Sequence, residues 1–230
     1  MGKTRIVKSV KISKQKCNLI VRCFCADVTA SSCAKIVKVH RNTADRYYQY
    51  FRQLILKKQE EERKGFLSED KTEIDEAYFG PTRIRGKRGR GASRKIAVIG
   101  LLERRGKVFT KLIDKCTKEK ILPVILKRVA KGVDIYTNGW KSYDALAVYG
   151  FNHNKVKHQQ NQFSNGKDNH INGIESFWSF AKRRLSKFNG IRKTHFSDYL
   201  KETEWRFNNR SKIEKMVRKF IREDRQVKNL

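Results

Sequence analysis

The sequence is poor in proline and in acidic side chains. Only 2 Pro occur in 230 residues, and 23 Asp and Glu stand against 54 Lys and Arg, which gives a formal net charge of +31. With 14 Gly as well, the composition excludes a collagen-like or low-complexity chain. A disordered basic tail is also excluded, because 13 Phe, 8 Tyr and 3 Trp supply the material for a core.

Long apolar runs are absent too. The longest, residues 96–102 and 121–126, fall far short of the roughly 20 residues needed to cross a bilayer. The first residues, Met-Gly-Lys-Thr-Arg, lack the apolar segment of a secretory signal. We therefore expect no membrane partner and a cytoplasmic location.

Paired cysteines are missing. The five cysteines are Cys17, Cys23, Cys25, Cys33 and Cys116. The first four have the spacing C-x5-C-x-C-x7-C, without the C-x2-C pair that is typical of structural zinc sites. Zinc binding remains an alternative, but the spacing favours free thiols on buried helix faces, and we expect no zinc.

The excess of positive charge is the strongest compositional signal. A field of this sign attracts polyanions, and nucleic acid is the expected partner. Residues 1–16 form a basic arm without any acid. The arm can lie along phosphates, or it can be a solvated and frayed terminus.

Residues 17–58 have apolar residues at helical spacing and predict three short helices. Thr29 is suited to cap the second helix, and Asn42 or Thr43 the third. This pattern favours a helix-turn-helix domain, with a plain three-helix cap as the alternative. Side chains of the third helix that could reach bases or phosphates are Arg41, Arg46, Gln49 and Arg52.

Residues 59–71 are polar and predict a linker, after which the periodicity changes. Strands are predicted at 72–79, 95–103, 107–114, 133–137 and 151–158, and helices at 117–130, 172–188, 196–208 and 213–221. Sequential antiparallel strands followed by a helix and a parallel strand indicate an α/β fold: a mixed sheet flanked by helices, compatible with an RNase H-like domain over 72–210. Residues 211–230 predict a C-terminal basic amphipathic helix.

Polar side chains occur at three places in these elements. Asp75 lies within the first strand of the sheet, Asn138 follows the fourth, and Glu175 opens a long helix. Carboxylates that converge in this way can hold divalent metals for phosphoryl transfer. The alternative is that each is an ordinary surface or capping residue.

Several segments together resemble bacterial insertion-sequence transposases of the DDE superfamily. The resemblance extends from about residue 18 to 210, and its motifs keep their order and spacing. They are Glu73-Ile74-Asp75-Glu76-Ala77-Tyr78-Phe79-Gly80, the Gly/Arg run at 86–91, Ile135-Tyr136-Thr137-Asn138-Gly139-Trp140, residues 170–178, 187–191 and 201–208.

The resemblance implies an RNase H-like catalytic domain behind a helix-turn-helix, and two Mg²⁺ or Mn²⁺ ions. It assigns Asp75 as the first catalytic and metal-binding aspartate and Glu175 as the final glutamate. Asn138 stands where the second aspartate is expected, so this copy is expected to be impaired or inactive. Asn172 and His170 are candidates for supporting roles. Many relatives carry an N-terminal zinc ribbon; this sequence has no such cysteine pairs, so we expect no zinc.

The implied partners are double-stranded DNA, both transposon ends and target, and further copies of the chain on the nucleoid. Further basic residues predicted to contact DNA are Arg83, Arg85, Lys87, Arg88, Arg90, Lys182, Arg183 and Arg184. Two other functions remain open: a non-catalytic derivative that occupies transposon ends, favoured by Asn138, and a basic RNA-binding or ribosome-associated protein, which leaves the ordered motifs unexplained.

Overall fold

The computed structural model describes residues 3–4, 7, 10–64, 67–80, 95–156 and 170–228. Its elements are β1 (Lys3–Thr4), β2 (Ile12–Ser13), α1 (Lys14–Cys25), α2 (Ala30–Val37), α3 (Arg41–Lys64), β3 (Thr72–Phe79), β4 (Ile96–Glu103), β5 (Val108–Ile113), α4 (Lys118–Arg128), β6 (Asp134–Thr137), a 3₁₀ helix (Lys141–Tyr149), β7 (Asn152–Lys155), α5 (Asn172–Ser186), α6 (Lys193–Asn208) and α7 (Ile213–Lys228). They form two compact units, one of Met1–Lys64 with Asn209–Leu230 and one of Gly65–Asn208.

The first unit is helical, and its core is aromatic. Side chains of Ser13 and Thr29 cap α1 and α2 by accepting the backbone N–H groups of Lys16 and Ser32. Phe24 of α1 packs edge-to-face on Tyr48 of α3. The buried residues of α3 include Tyr47, Tyr50, Phe51, Leu54 and Ile55, at the helical spacing that the sequence shows.

The junction between α2 and α3 is a tight turn. Lys38 ends α2 in the left-handed conformation, with φ of 55°, and α3 begins at Arg41. The predicted cap at Asn42 or Thr43 is therefore wrong, because both residues already lie inside the helix. The imidazole of His40 takes this role, since its Nδ1 accepts the Asn42 backbone N–H at 3.2 Å.

The C-terminal helix α7 belongs to this same unit. Its buried residues include Val217, Phe220 and Ile221, and Asp224 accepts a 2.6 Å hydrogen bond from the Tyr50 hydroxyl of α3. The helix runs to Lys228, seven residues beyond the predicted end. The chain thus leaves the unit after α3 and returns to it with α7. The predicted linker, residues 59–71, begins inside α3, which ends at Lys64.

The second unit contains a five-stranded sheet of order β5-β4-β3-β6-β7. The first three strands pair antiparallel, whereas β6 runs parallel to β3 and β7 parallel to β6. This is the mixed sheet flanked by helices that the sequence predicts, and its strand order and directions are compatible with an RNase H-like domain. The predicted strand 72–79 is confirmed without a shift, and the other strands differ by up to a few residues at their ends.

Alternation along β3 decides which helix each side chain meets. Ile74 packs in the core with Ile121 and Ile125 of α4. Ala77 and Phe79 pack in the opposite core with Phe177 of α5. Because side chains on a strand alternate with period two, Glu73 and Asp75 also lie on the α5 side.

Helix α6 covers the edge strand β5 with polar side chains. Asn208 accepts the Val108 N–H and donates to the Val108 carbonyl, each at 2.9 Å. Glu204 accepts the Thr110 N–H at 2.7 Å, and Lys201 donates to the Thr110 carbonyl. These bonds satisfy backbone groups that an uncovered edge would leave free for another strand. No helix within the described ranges is long and apolar enough to cross a membrane.

Candidate active site

The end of β6 brings Asn138 next to Asp75. Parallel pairing sets Ile74 opposite Thr137, so the residues that follow on the two strands, Asp75 and Asn138, emerge at neighbouring positions. The Nδ2 of Asn138 donates to Oδ1 of Asp75 at 3.1 Å. Both side chains are half-buried. Two of the three residues assigned to the site by resemblance are therefore in direct contact.

The orientation of the Asn138 amide follows from its own turn. Its Oδ1 accepts the backbone N–H of Trp140 at 3.1 Å, which leaves Nδ2 to face Asp75. Gly139 adopts φ of 74°, a conformation that glycine tolerates without strain. Thr137 steadies the same turn: its hydroxyl accepts the Gly139 N–H at 3.3 Å and lies 2.9 Å from Nε2 of His153.

Glu175 is in the first turn of α5, over the same face of the sheet. Gly100 pairs directly opposite Asp75, and a Cβ built on Gly100 would lie 2.9 Å from Ile174 and 2.6 Å from Trp178. Directly paired residues of antiparallel strands share a face. The turn of α5 that carries Glu175 therefore lies against the position beside Asp75.

The donor set does not match the pair of metal ions that the resemblance implies. Hard cations such as Mg²⁺ take oxygen ligands, but the group that Asn138 presents to Asp75 is an N–H donor, and its oxygen is used by Trp140. The neutral amide also lacks the charge that bridges two dications. Among the residues described, no group of three or more His, Cys, Asp or Glu side chains could hold a metal ion.

Two carboxylates near the site were not singled out from the sequence. Glu73 is buried beneath the start of α5, where it meets Arg104. Glu76, on the opposite face, accepts a hydrogen bond from the Tyr143 hydroxyl. Burial and the Glu76 carboxylate raise the pKa of Tyr143 well above its ordinary value. Strand alternation was the available signal, because it places Glu73 on the same face as Asp75.

The two residues with predicted supporting roles occupy different positions. His170 precedes α5, and its Nδ1 lies 3.3 Å from Oε1 of Glu73 but outside hydrogen-bond geometry. Asn172 is the first residue of α5 and is exposed. His170 therefore lies against the buried carboxylate two residues before Asp75, and it contacts Glu73 rather than a residue that the resemblance assigns to metal.

The residues predicted to contact DNA differ in their exposure. Arg41, Arg46 and Gln49 are exposed on α3, with Arg52 half-buried, and Lys182 and Arg183 are exposed on α5. The predicted residues at 83–90, namely Arg83, Arg85, Lys87, Arg88 and Arg90, lie outside the described part of the chain.

Arg184 does not fit the prediction. Its guanidinium is buried, 2.5 Å from Oε1 of Glu202 and 2.6 Å from the Thr203 hydroxyl. The predicted DNA contact is wrong for Arg184, because its charge is already paired inside the unit.

The family model and a related protein both identify this domain as similar to transposases. Residues 67–208, more than half of the chain, match the ISXO2-like transposase domain. An uncharacterized transposase-like protein of Haemophilus influenzae is 46% identical over 103 residues, which is 45% of this chain and 82% of that protein. An uncharacterized protein in transposable element ISH50 of Halobacterium salinarum is 32% identical over 154 residues, 60% of this chain and 52% of that protein.

A solved structure, the Mos1 strand transfer complex, has a TM-score of 0.29 and 10% identity, and covers 94% of this chain and 80% of the Mos1 chain. A likeness at this level adds nothing to the assignment. The family match, the ordered motifs and the strand-end pair of Asp75 and Asn138 carry it. The chain belongs to the ISXO2-like transposase domain family, whose members are insertion-sequence transposases of the DDE type.

Proposed function

We propose that the chain binds the ends of an insertion sequence and carries a metal-dependent transposase site that Asn138 disables or strongly impairs. The observation that carries this proposal is the Asn138–Asp75 hydrogen bond of 3.1 Å within a transposase domain. In the proposed reaction, water attacks the phosphodiester at the transposon end and frees a 3′-OH. That 3′-OH then attacks a phosphodiester of target DNA, forms a new bond to its phosphorus and displaces the 3′-oxygen of the adjacent target nucleotide, which leaves as a free 3′-OH.

The proposed roles follow the resemblance. With an aspartate at position 138 as the third ligand, Asp75 and Glu175 would hold the divalent cations, which would activate the attacking oxygen and stabilise the leaving oxygen. An aspartate there would keep the acceptor for the Trp140 N–H on one oxygen and offer the other towards Asp75. The asparagine keeps the first contact but replaces the second oxygen with a donor. The substitution therefore leaves the turn intact while removing a negative charge.

The proposed DNA contacts come from both units. We assign end recognition to residues 17–58, where α2, the turn and α3 place Arg41, Arg46 and Gln49 on an exposed surface. Residues 72–210 are assigned as the catalytic domain, with Lys182 and Arg183 as further phosphate contacts. The net charge of +31 supports a polyanionic partner. Because two ends must be joined, we propose that the chain acts as a homo-oligomer on chromosomal DNA in the cytoplasm.

The test is a cleavage and strand-transfer assay on the element's own end DNA with Mg²⁺ or Mn²⁺. It compares the chain as given with Asn138→Asp, and uses Asp75→Ala in the Asn138→Asp background as the control. We expect cleavage only with Asn138→Asp, and its loss in the control. Equal cleavage by the chain as given would show that the second ligand lies elsewhere.

The second candidate function is a non-catalytic protein that occupies transposon ends. The same hydrogen bond favours it, since a neutral amide meets Asp75 at the position where the resemblance expects a second carboxylate. Under this alternative the chain binds end DNA in preference to scrambled DNA, and Asn138→Asp binds equally well but does not cut. A band-shift assay run beside the cleavage assay separates the two candidates.

A further inference from the structure

The residue that precedes α5 does not cap the helix with its side chain. The residue before the helix is Ile171, whose side chain cannot accept a hydrogen bond. The first N–H groups of a helix have no partner within the helix. One of them is satisfied from the sheet: the Ile174 N–H donates to Oε2 of Glu73 at 2.9 Å. A strand residue therefore caps the helix that carries Glu175.

The carboxylate of Glu73 is buried, so its loss of hydration must be compensated by partners. Its side chain is only 1% exposed, and a buried carboxylate is unfavourable unless it is paired and hydrogen-bonded. Its two oxygens have different partners: Oε2 accepts from Ile174, and Oε1 accepts from Nε of Arg104 at 3.1 Å. The negative charge also lies at the positive end of the helix dipole.

Arg104 hydrogen-bonds both Glu73 and the segment that precedes α5. While its Nε pairs with Glu73, its Nη2 donates to the carbonyl of His170 at 2.6 Å. The guanidinium is stacked 3.8 Å above the centre of the Tyr136 ring. One planar side chain thus links β3, β6 and the segment that enters α5.

The helix approaches the sheet very closely at this point. A Cβ on Gly173 would lie 2.3 Å from Leu102 and 2.9 Å from Oε2 of Glu73. Only glycine fits there without displacing its neighbours. The contact fixes how far α5 stands from the sheet and which of its faces turns inward.

We propose that Glu73 is a positioning residue that sets the place of Glu175 relative to Asp75. Glu73 lies two residues before Asp75 on the same face of β3, and its hydrogen-bond partner Ile174 immediately precedes Glu175. A displacement of the first turn of α5 would therefore move Glu175 relative to Asp75. The inference rests on the proposed catalytic roles of Asp75 and Glu175.

The first test does not depend on activity. Hydrogen exchange of the Ile174 amide is measured in the full chain as given and in Glu73→Ala, Glu73→Gln and Glu204→Ala. Glu204 is a matched control, because it is a buried carboxylate that also accepts a backbone N–H and pairs with a cation, Lys201, but on the β5 edge. We expect exchange of Ile174 to quicken about tenfold in Glu73→Ala. It should quicken less in Glu73→Gln, whose amide oxygen can still accept, and not at all in Glu204→Ala.

The second test uses end cleavage in the Asn138→Asp background, at a temperature where every variant is fully folded. Partners that orient ligand residues typically change metal affinity or activity about 10- to 100-fold. We expect such a loss of cleavage in Glu73→Ala, partial rescue in Glu73→Gln and a rise in the Mn²⁺ concentration needed for half-maximal rate. The Glu204→Ala control should keep both parameters.

Each outcome decides the proposal. Unchanged Ile174 exchange in Glu73→Ala would overturn it, as would an equal loss of cleavage in Glu204→Ala, because a buried carboxylate that does not cap α5 would then matter as much as Glu73. If Glu73→Ala does not fold, the Glu73→Gln pair of measurements decides alone. If Asn138→Asp itself does not cut, the proposed function fails, while the exchange experiment still reports whether Glu73 holds α5.

Discussion

The transposase domain contains a buried acid on α6 and a half-buried acid next to the end of β6. The two carboxylates have different hydrogen-bond partners. On α6, Oε1 of Glu202 accepts from Arg184 at 2.5 Å and from Arg206 at 2.7 Å, and all three side chains are at most 3% exposed. At the end of β6, the Asp75 carboxylate is joined to the neutral amide of Asn138. The carboxylate of Glu202 is shared by two cations, whereas Asp75 accepts a hydrogen bond from a neutral amide.

The difference indicates a structural role for the acid on α6 and a chemical role for the acid beside β6. Removing one partner from a buried ion pair leaves a charge with no compensation, so such pairs are retained where they hold elements together. A half-buried carboxylate beside an amide, at the ends of two strands, instead presents the oxygen-bearing side chains from which cation sites are built. The contrast predicts opposite responses to substitution: a loss of stability on α6, and a change in cation dependence at β6.

The largest effect is expected for Glu202→Ala. The substitution leaves the guanidiniums of Arg184 and Arg206 buried without the carboxylate, which typically costs about 3–5 kcal/mol. The measurement is the free energy of unfolding by urea denaturation. Its control is Glu214→Ala on α7, where the pair with Arg218 is 2.7 Å long but the side chains are 39% and 47% exposed.

An exposed pair contributes only about 0–1 kcal/mol, because solvent screens it. Equal losses in Glu202→Ala and Glu214→Ala would show that the α6 pair contributes no more than a surface pair. The assignment of Arg184 as a structural cation would then be wrong.

A smaller effect is expected for Asn138→Asp without metal. The variant replaces the donor to Asp75 by an oxygen and sets two carboxylates face to face, and the lost hydrogen bond and the repulsion should cost about 1–3 kcal/mol. Added Mg²⁺ or Mn²⁺ should raise the melting temperature of the variant and restore this loss. The chain as given should respond much less, because its amide already satisfies Asp75.

Thermal unfolding of both chains across a titration of Mn²⁺ checks this expectation, with K⁺ at matched ionic strength as the control. A rise in melting temperature of the same size in both chains would mean that the cation binds away from position 138.

The layout of the sheet could be predicted because its signals are local. The three sequential antiparallel strands β3, β4 and β5 follow from their apolar segments and from the short turn that joins β4 to β5. The meeting of Asp75 and Asn138 required the resemblance, since strand ends carry acids in many proteins. The contacts of Glu73 could not be predicted, because Arg104 and Ile174 lie 31 and 101 residues away.

The misassignment of Arg184 has a different cause. In the sequence Lys182, Arg183 and Arg184 are equivalent basic residues, but helical periodicity separates them. Arg184 is three residues after the buried Ala181 and next to the buried Leu185, so it lies on the inner face of α5. The signal was present in the apolar spacing and was outweighed by the run of charge. The return of α7 to the first unit, in contrast, has no local signal.

The smallest effect concerns a third group near the same strand end, the imidazole of His153, which lies against the Thr137 hydroxyl. Burial, followed by the charge of Lys155, lowers its pKa below the ordinary value of about 6.5. The unfolded chain therefore takes up the proton at higher pH than the folded chain. The stability due to neutral His153 is complete above that ordinary pKa and is lost as the pH falls through the lowered value.

Unfolding free energies measured in steps from pH 7.5 down to acid should fall more steeply for the unaltered chain than for His153→Gln, which does not titrate. Parallel slopes for the two chains would show that the protonation of His153 is not coupled to the turn that holds Asn138.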